Sequence, residues 1–198
     1  MTHLLKSSQY EKIVALRATS GVNAVEGQYL AYLAATYMKK TGVEIGSCEG
    51  RSACYILDPL KDKQSHATLH CIDLWELGLG ETPPKHSAPV AYKRFKANIK
   101  SIGVAGHVHV YKGRSSVVAK TWTTPIDLLF IDGSHLYADV KLDYECWSPF
   151  VQVGGVMAFH DTNQDDIARV VAELPYALWL PLPTDESERI AAFVRLAG

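Results

Sequence analysis

The sequence has almost no net charge: 20 Lys and Arg stand against 21 Asp and Glu in 198 residues, a formal −1. There is no chain-wide electrostatic case for nucleic acid, although a local basic patch is compatible with that balance. Long hydrophobic runs are missing too, so no membrane span is expected, and the opening MTHLLKSSQYEK lacks a signal-peptide layout. Cysteine is sparse, and Cys48, Cys54, Cys71 and Cys146 show no CxxC spacing. That pattern argues against zinc and for reduced thiols in the cytoplasm. Repeats and low-complexity segments are absent, as is GxGxxG, the mark of nicotinamide-dependent oxidoreductases.

What is present suffices for one domain with a real core, since 47% of the residues are hydrophobic. The chain is organised around PIDLLFIDGSHLYADVKLDYECWSPFVQVGGVMAFHDT. Residues 126–131 form a continuous apolar run ending in Asp132, and 156–159 form another ending in His160 and Asp161. Short, fully apolar runs fit strands covered on both faces, as in parallel sheets. Their carboxyl ends are where open α/β sheets bind ligands. A helix is expected between the two runs, and Gly154-Gly155 is expected to turn the chain back into the sheet.

Upstream, residues 7–19 and 26–40 have helical spacing, with Lys39-Lys40 and then Gly42 expected to close the second helix. Residues 43–45 read as a strand, 46–50 as a tight loop and 51–57 as the start of a helix. Gly46 and Gly50 allow backbone amides to approach a ligand, and the following helix start favours an anionic group. Residues 67–72 form the next strand, with Asp73 at its end. In nucleotide-binding folds an acid there, roughly twenty to thirty residues after the loop, bonds the ribose hydroxyls. Residues 74–90, rich in Gly and Pro, have the length of a lid, with Trp75 at its root as pocket wall or core.

Residues 92–102 make a basic helix whose charges read as a solvated face. The strand 107–111 puts His107 and His109 on one face, read as ordinary strand positions rather than metal ligands. After a short helix at 115–121 and the central stretch, 165–173 reads as a helix. Residues 176–180 and 190–196 then read as strands joined closely enough to pair antiparallel. Tyr137 and Trp147 sit at helical spacing and read as core; Asp139 and Asp143 flank Lys141 and read as solvated.

Taken in order, VEGQYL, EIGSCEGRSA, ID, YKGRS, FIDGSHLYADVKLDYECW and GGVMAFHDT resemble class I S-adenosylmethionine-dependent methyltransferases. The likeness is to the small-molecule O-methyltransferases of the catechol and caffeoyl-CoA type, and to a bacterial branch with IDGxHxY, GG and HD. It covers about residues 21–196. It implies a Rossmann-like α/β fold: seven strands, mostly parallel, an antiparallel final strand, and helices on both faces. A single domain over 1–198 follows, with 1–41 covering the cofactor site. By the same resemblance, Glu44, Gly46 and Gly50 surround the methionine part of the cofactor and Ser52 holds its carboxylate. Asp73 takes the ribose, Gly113, Arg114 and Ser115 lie near the adenine, and Val22 with the Glu26-Gly27-Gln28 region closes over the cofactor from the N-terminal side. Asp132, His160 and Asp161 take the positions where metal-dependent relatives hold a divalent cation, with magnesium or manganese expected. His135 takes the slot of a lysine base, and dimers are common in the family.

The chemistry implied is O-methylation of a small hydroxylated acceptor, with no nucleic-acid or membrane partner. In-line alignment supplies up to about 7–11 kcal/mol in the best intramolecular models. A bound cation lowers the hydroxyl pKa, and an imidazole titrates near neutrality, as suits a base. Two departures stand out: relatives of the plant and animal type carry Asp then Asn where this chain has His160 then Asp161, and His135 replaces lysine. A metal-independent enzyme with His135 or His160 as base, and a non-catalytic cofactor-binding module, are the alternatives.

Overall fold

The computed structural model describes residues 9–16, 21–61, 66–75, 88–184 and 189–197. The strands are β1 (Thr41–Ile45), β2 (Thr68–Asp73), β3 (Val108–Lys112), β4 (Ile126–Ile131), β5 (Val151–Phe159), β6 (Trp179–Pro181) and β7 (Ala191–Arg195). The helices are α1 (Tyr10–Val14), α2 (Ala24–Tyr37), α3 (Arg51–Lys61), α4 (Ala88–Ile102), α5 (Ser115–Ala119), α6 (Tyr137–Trp147) and α7 (Asp165–Ala172). They build one seven-stranded sheet of order β3-β2-β1-β4-β5-β7-β6. The five strands from β3 to β5 pair in parallel, and β7 runs antiparallel to both β5 and β6. This is the sheet that the sequence predicts.

Every side chain of β1 and β4 is buried. Along β4 the pleat sends Leu128 and Phe130 into one hydrophobic layer and Leu129 and Ile131 into the other. The first layer holds residues of α1 to α4, the second residues of α5 to α7. With helices on both faces, the carboxyl ends of the parallel strands form one rim. Among the described residues no helix is long and apolar enough to cross a membrane.

Four local expectations are corrected. Helix α2 stops at Tyr37, with Met38 extended, and Gly42 lies inside β1. A buried acid explains the early stop: Asp127 Oδ2 accepts the backbone N–H groups of Lys39, Lys40 and Thr41 at 3.1, 2.6 and 2.9 Å. Gly154-Gly155 is no turn but part of the nine-residue β5, beside a register shift against β4 between Ile126 and Leu128. His107 precedes β3 in a one-turn 3-10 helix, while His109 faces His70 of β2 with ring centroids 4.8 Å apart. Asp143 is buried rather than solvated. Of the lid segment, residues 76–87 lie outside the described residues.

Candidate active site

The rim is set by backbone bonds that carry the ladder past the strand ends. Gly46 N–H donates to the Ile72 carbonyl at 2.8 Å, Asp132 N–H to Ile45 at 2.9 Å and His160 N–H to Ile131 at 3.0 Å. The residues after β1, β4 and β5 are thereby aligned side by side. Gly46 has φ +90°, and a Cβ built there would overlap the Asp132 carbonyl oxygen. Only glycine lets the loop cross so close to β4. Three non-glycine residues with positive φ share this rim: Cys48 in the loop, Trp75 after β2 and Asp161 after β5. Such backbone strain gathers at functional sites.

On the β1–β2 side, Asp73 Oδ2 accepts the Cys48 N–H at 2.8 Å and Oδ1 the Trp75 N–H at 2.9 Å. The Trp75 indole donates to the Cys48 carbonyl at 2.7 Å and packs against Tyr92 and Phe95, so Trp75 is core. Glu44 is fully buried; one oxygen meets the Cys71 thiol at 3.5 Å, and Oε1 has no hydrogen-bond partner. Burial pushes its carboxyl up to about 7, against the lowering effect of the Ser47 and Ser52 hydroxyls and the Cys71 thiol. An orphaned buried acceptor beneath a glycine loop points to a missing donor. Ser52 is buried on the first turn of α3. Gly113 N–H bonds the Asp73 carbonyl at 3.0 Å, which brings the β3 end to the same rim. Arg114 there is exposed, and the Ser115 hydroxyl is taken by Asp143. Val22 is fully buried in the layer under α2.

On the β4–β5 side, charge meets charge. His160 is buried, with Nδ1 at 2.9 Å from Asp132 Oδ1 and Nε2 at 3.0 Å from Glu26 Oε2. Burial alone would depress its pKa, but the bonds to Asp132, Asp161 and Glu26 push it up to about 11. Asp161 Oδ2 lies 3.4 Å from His160 Nδ1 and 3.0 Å from Nε2 of the half-exposed His135. Burial would raise the Asp161 carboxyl, yet His160 and Arg189 hold it well below the usual range. Glu26 has two duties. It closes the capping box that starts α2, accepting from Asn23 N and Nδ2 at 2.8 and 2.7 Å, and it also reaches His160.

The structure thus brings Asp132, His135, His160 and Asp161 together and ranges Glu44, Gly46, Gly50, Ser52 and Asp73 beside them. One ligand atom each from Asp132, His160 and Asp161 lie within 4.8 Å of one another. Two carboxylate oxygens and an imidazole nitrogen fit a divalent cation. Glu26 on the far ring nitrogen of His160 is the support that ligating histidines usually have. Such an ion would take the place of the Nδ1 proton. Sequence reasoning missed Arg189, which joins Asp161 to Glu26 and follows no motif. It also left the Glu26 region as a mere cover.

Comparisons with known proteins bear on the family and the fold. The sequence profile of a family described as a methyltransferase domain matches residues 43–162. The uncharacterized protein y4gI of Sinorhizobium fredii is 39% identical over 68 residues, or 30% of this chain. The match spans only 8% of that relative's length. Among solved structures, the O-methyltransferase TomG of Streptomyces achromogenes, involved in tomaymycin synthesis and solved with S-adenosylmethionine, superposes with a TM-score of 0.71 at 16% identity. That match covers 99% of this chain and 93% of TomG. An O-methyltransferase of Bacillus cereus, solved with S-adenosylhomocysteine, gives 0.69 at 16% identity over 98% and 94% of the two chains. At such identities the likeness establishes the fold.

Proposed function

The chain belongs to the methyltransferase domain family, and from that premise we propose that it moves a methyl group from S-adenosylmethionine to a hydroxyl oxygen of a small molecule. One observation carries the reading: an unpartnered buried oxygen of Glu44 under the Gly46 loop lies on the same rim as the His135–Asp161 pair.

The cofactor's ammonium group is the donor that Glu44 Oε1 lacks. The loop from Gly46 to Gly50, held against β4 and Phe95 by its glycines, offers backbone to the methionine chain, and Ser52 on the first turn of α3 suits its carboxylate. Three backbone N–H groups, of Cys48, Trp75 and Leu74, bond the Asp73 carboxylate, which has about four lone-pair sites and so keeps one for a ribose hydroxyl. Gly113, Arg114 and Ser115 border the adenine, with the Ser115 hydroxyl already committed to Asp143. Val22 and α2 form the N-terminal wall.

Asp161 accepts the Nε2–H of His135, which leaves Nδ1 with the lone pair that removes the acceptor proton. The deprotonated oxygen then forms a bond to the methyl carbon as the carbon–sulfur bond breaks in line, and the sulfonium becomes a neutral thioether. Asp132, His160 and Asp161 would hold a divalent cation, magnesium or manganese, which when bound lowers the hydroxyl pKa and fixes its oxygen. A cytoplasmic setting, in keeping with four cysteines that form no disulfide with one another, is part of the same proposal. Calorimetric titration with S-adenosylmethionine tests it. Saturable binding is expected, weakened at least tenfold in Asp73→Asn. No heat at millimolar cofactor ends the reading.

A further inference from the structure

Arg189 lies just before β7, with its carbonyl fixed by the Thr162 N–H at 3.1 Å. From there its guanidinium enters the β4–β5 cluster. Nη1 donates to Glu26 Oε1 at 2.9 Å, and Nη2 pairs with Asp161 Oδ1. With His160 between Glu26 and Asp161, the contacts close a ring. Glu26 is 0% exposed and Asp161 10%, whereas the Arg189 side chain is 35% exposed. Arginine is therefore the member of the ring with access to solvent, and it is a permanent cation.

Both of its carboxylate partners are anchored without it. Glu26 is held by two bonds from Asn23 and by His160. Asp161 is held by a positive-φ backbone, by His135 and by His160. Deleting the guanidinium thus removes a charge without removing the placement of the oxygens. We propose that Arg189 is an internal counter-ion that weakens the hold of Asp132, His160 and Asp161 on a divalent cation. The like charge repels the ion at short range, and the guanidinium already occupies one oxygen of a prospective ligand. Orientation by outer partners usually strengthens metal sites; here the redundant anchors leave electrostatics to decide the sign. The inference rests on the cation reading above.

Manganese titrated calorimetrically into the full chain, with neither cofactor nor acceptor, tests it. Arg189→Gln should bind at least about tenfold more tightly than the wild type. Arg189→Lys, which keeps the charge, should stay within about threefold. Thermal melting reports whether each variant folds, and Arg189→Met, which keeps the aliphatic stem, replaces a Gln variant that does not. Tighter binding by the uncharged variant, including binding where the wild type shows none, supports the proposal. Measurable binding of equal or lower affinity in the uncharged variant overturns it and leaves the cation reading standing. No manganese binding by any variant sinks both.

Discussion

The two halves of the rim are built on different principles. On the β1–β2 side, acids meet backbone: Asp73 is bonded by the main-chain N–H groups of Cys48, Trp75 and Leu74, the loop turns on Gly46, and one Glu44 oxygen is unmatched. On the β4–β5 side, acids meet cations, with Glu26 and Asp161 shared between His160 and Arg189 and Asp132 bonded to His160. A carboxylate held by fixed amides keeps its place whatever binds. A carboxylate held by other ionisable groups changes its protonation and affinity with them. The first half therefore suits a constant cofactor, and the second suits a reaction in which a proton must move.

Substitutions separate the halves. The largest effect is expected from His135→Ala: methyl transfer should fall by about 10²–10⁴-fold, with an unchanged melting curve because the side chain is half exposed. Loss of fold in that variant would show the histidine to be structural. Glu26→Ala comes next. It opens the capping box and leaves His160 and Arg189 with Asp161 as the one carboxylate they still share. Unfolding experiments should record about 3–5 kcal/mol of destabilisation.

Glu44 gives a pH test. Burial lifts its folded pKa from an ordinary 4.5 to about 7. The folded state thus holds the proton more firmly than the unfolded chain. That contribution is full below pH 4.5 and is lost as pH rises through 7. For the ligand-free protein the expected loss is about 2–3 kcal/mol between those limits. In Glu44→Gln this part of the pH dependence should vanish while cofactor affinity falls; parallel melting curves for both proteins would refute a buried Glu44 carboxyl with a raised pKa. The smallest effect is that of Asp143→Ala, about 1–2 kcal/mol for the lost bond to Ser115.

Legibility in the sequence follows the same divide. Residues 126–131 emerge as a strand with both ends correct because burial on both faces leaves an uninterrupted apolar run. The Gly46 loop and Asp73 were legible because each is a local pattern at the end of a strand. Gly154-Gly155 misled: a glycine pair signals a turn, but here neighbouring strands carry the chain straight through a register shift. Asp143 misled through its charge, although Val140, Asp143 and Trp147 form one buried stripe at helical spacing, a signal that was available. The β4–β5 cluster was legible only in part. Asp132, His160 and Asp161 end strands and show themselves. Glu26 joins His160 across 134 residues and Arg189 joins Glu26 across 163, so no local pattern announces either.

The most direct measurement is a structure of the chain with S-adenosylhomocysteine. The ligand's amino group should sit against Glu44 Oε1, its ribose on Asp73, and its sulfur facing the side of the rim that carries Asp132 and His135. A ligand bound elsewhere, or bound here with Glu44 Oε1 still unpaired, would contradict the account.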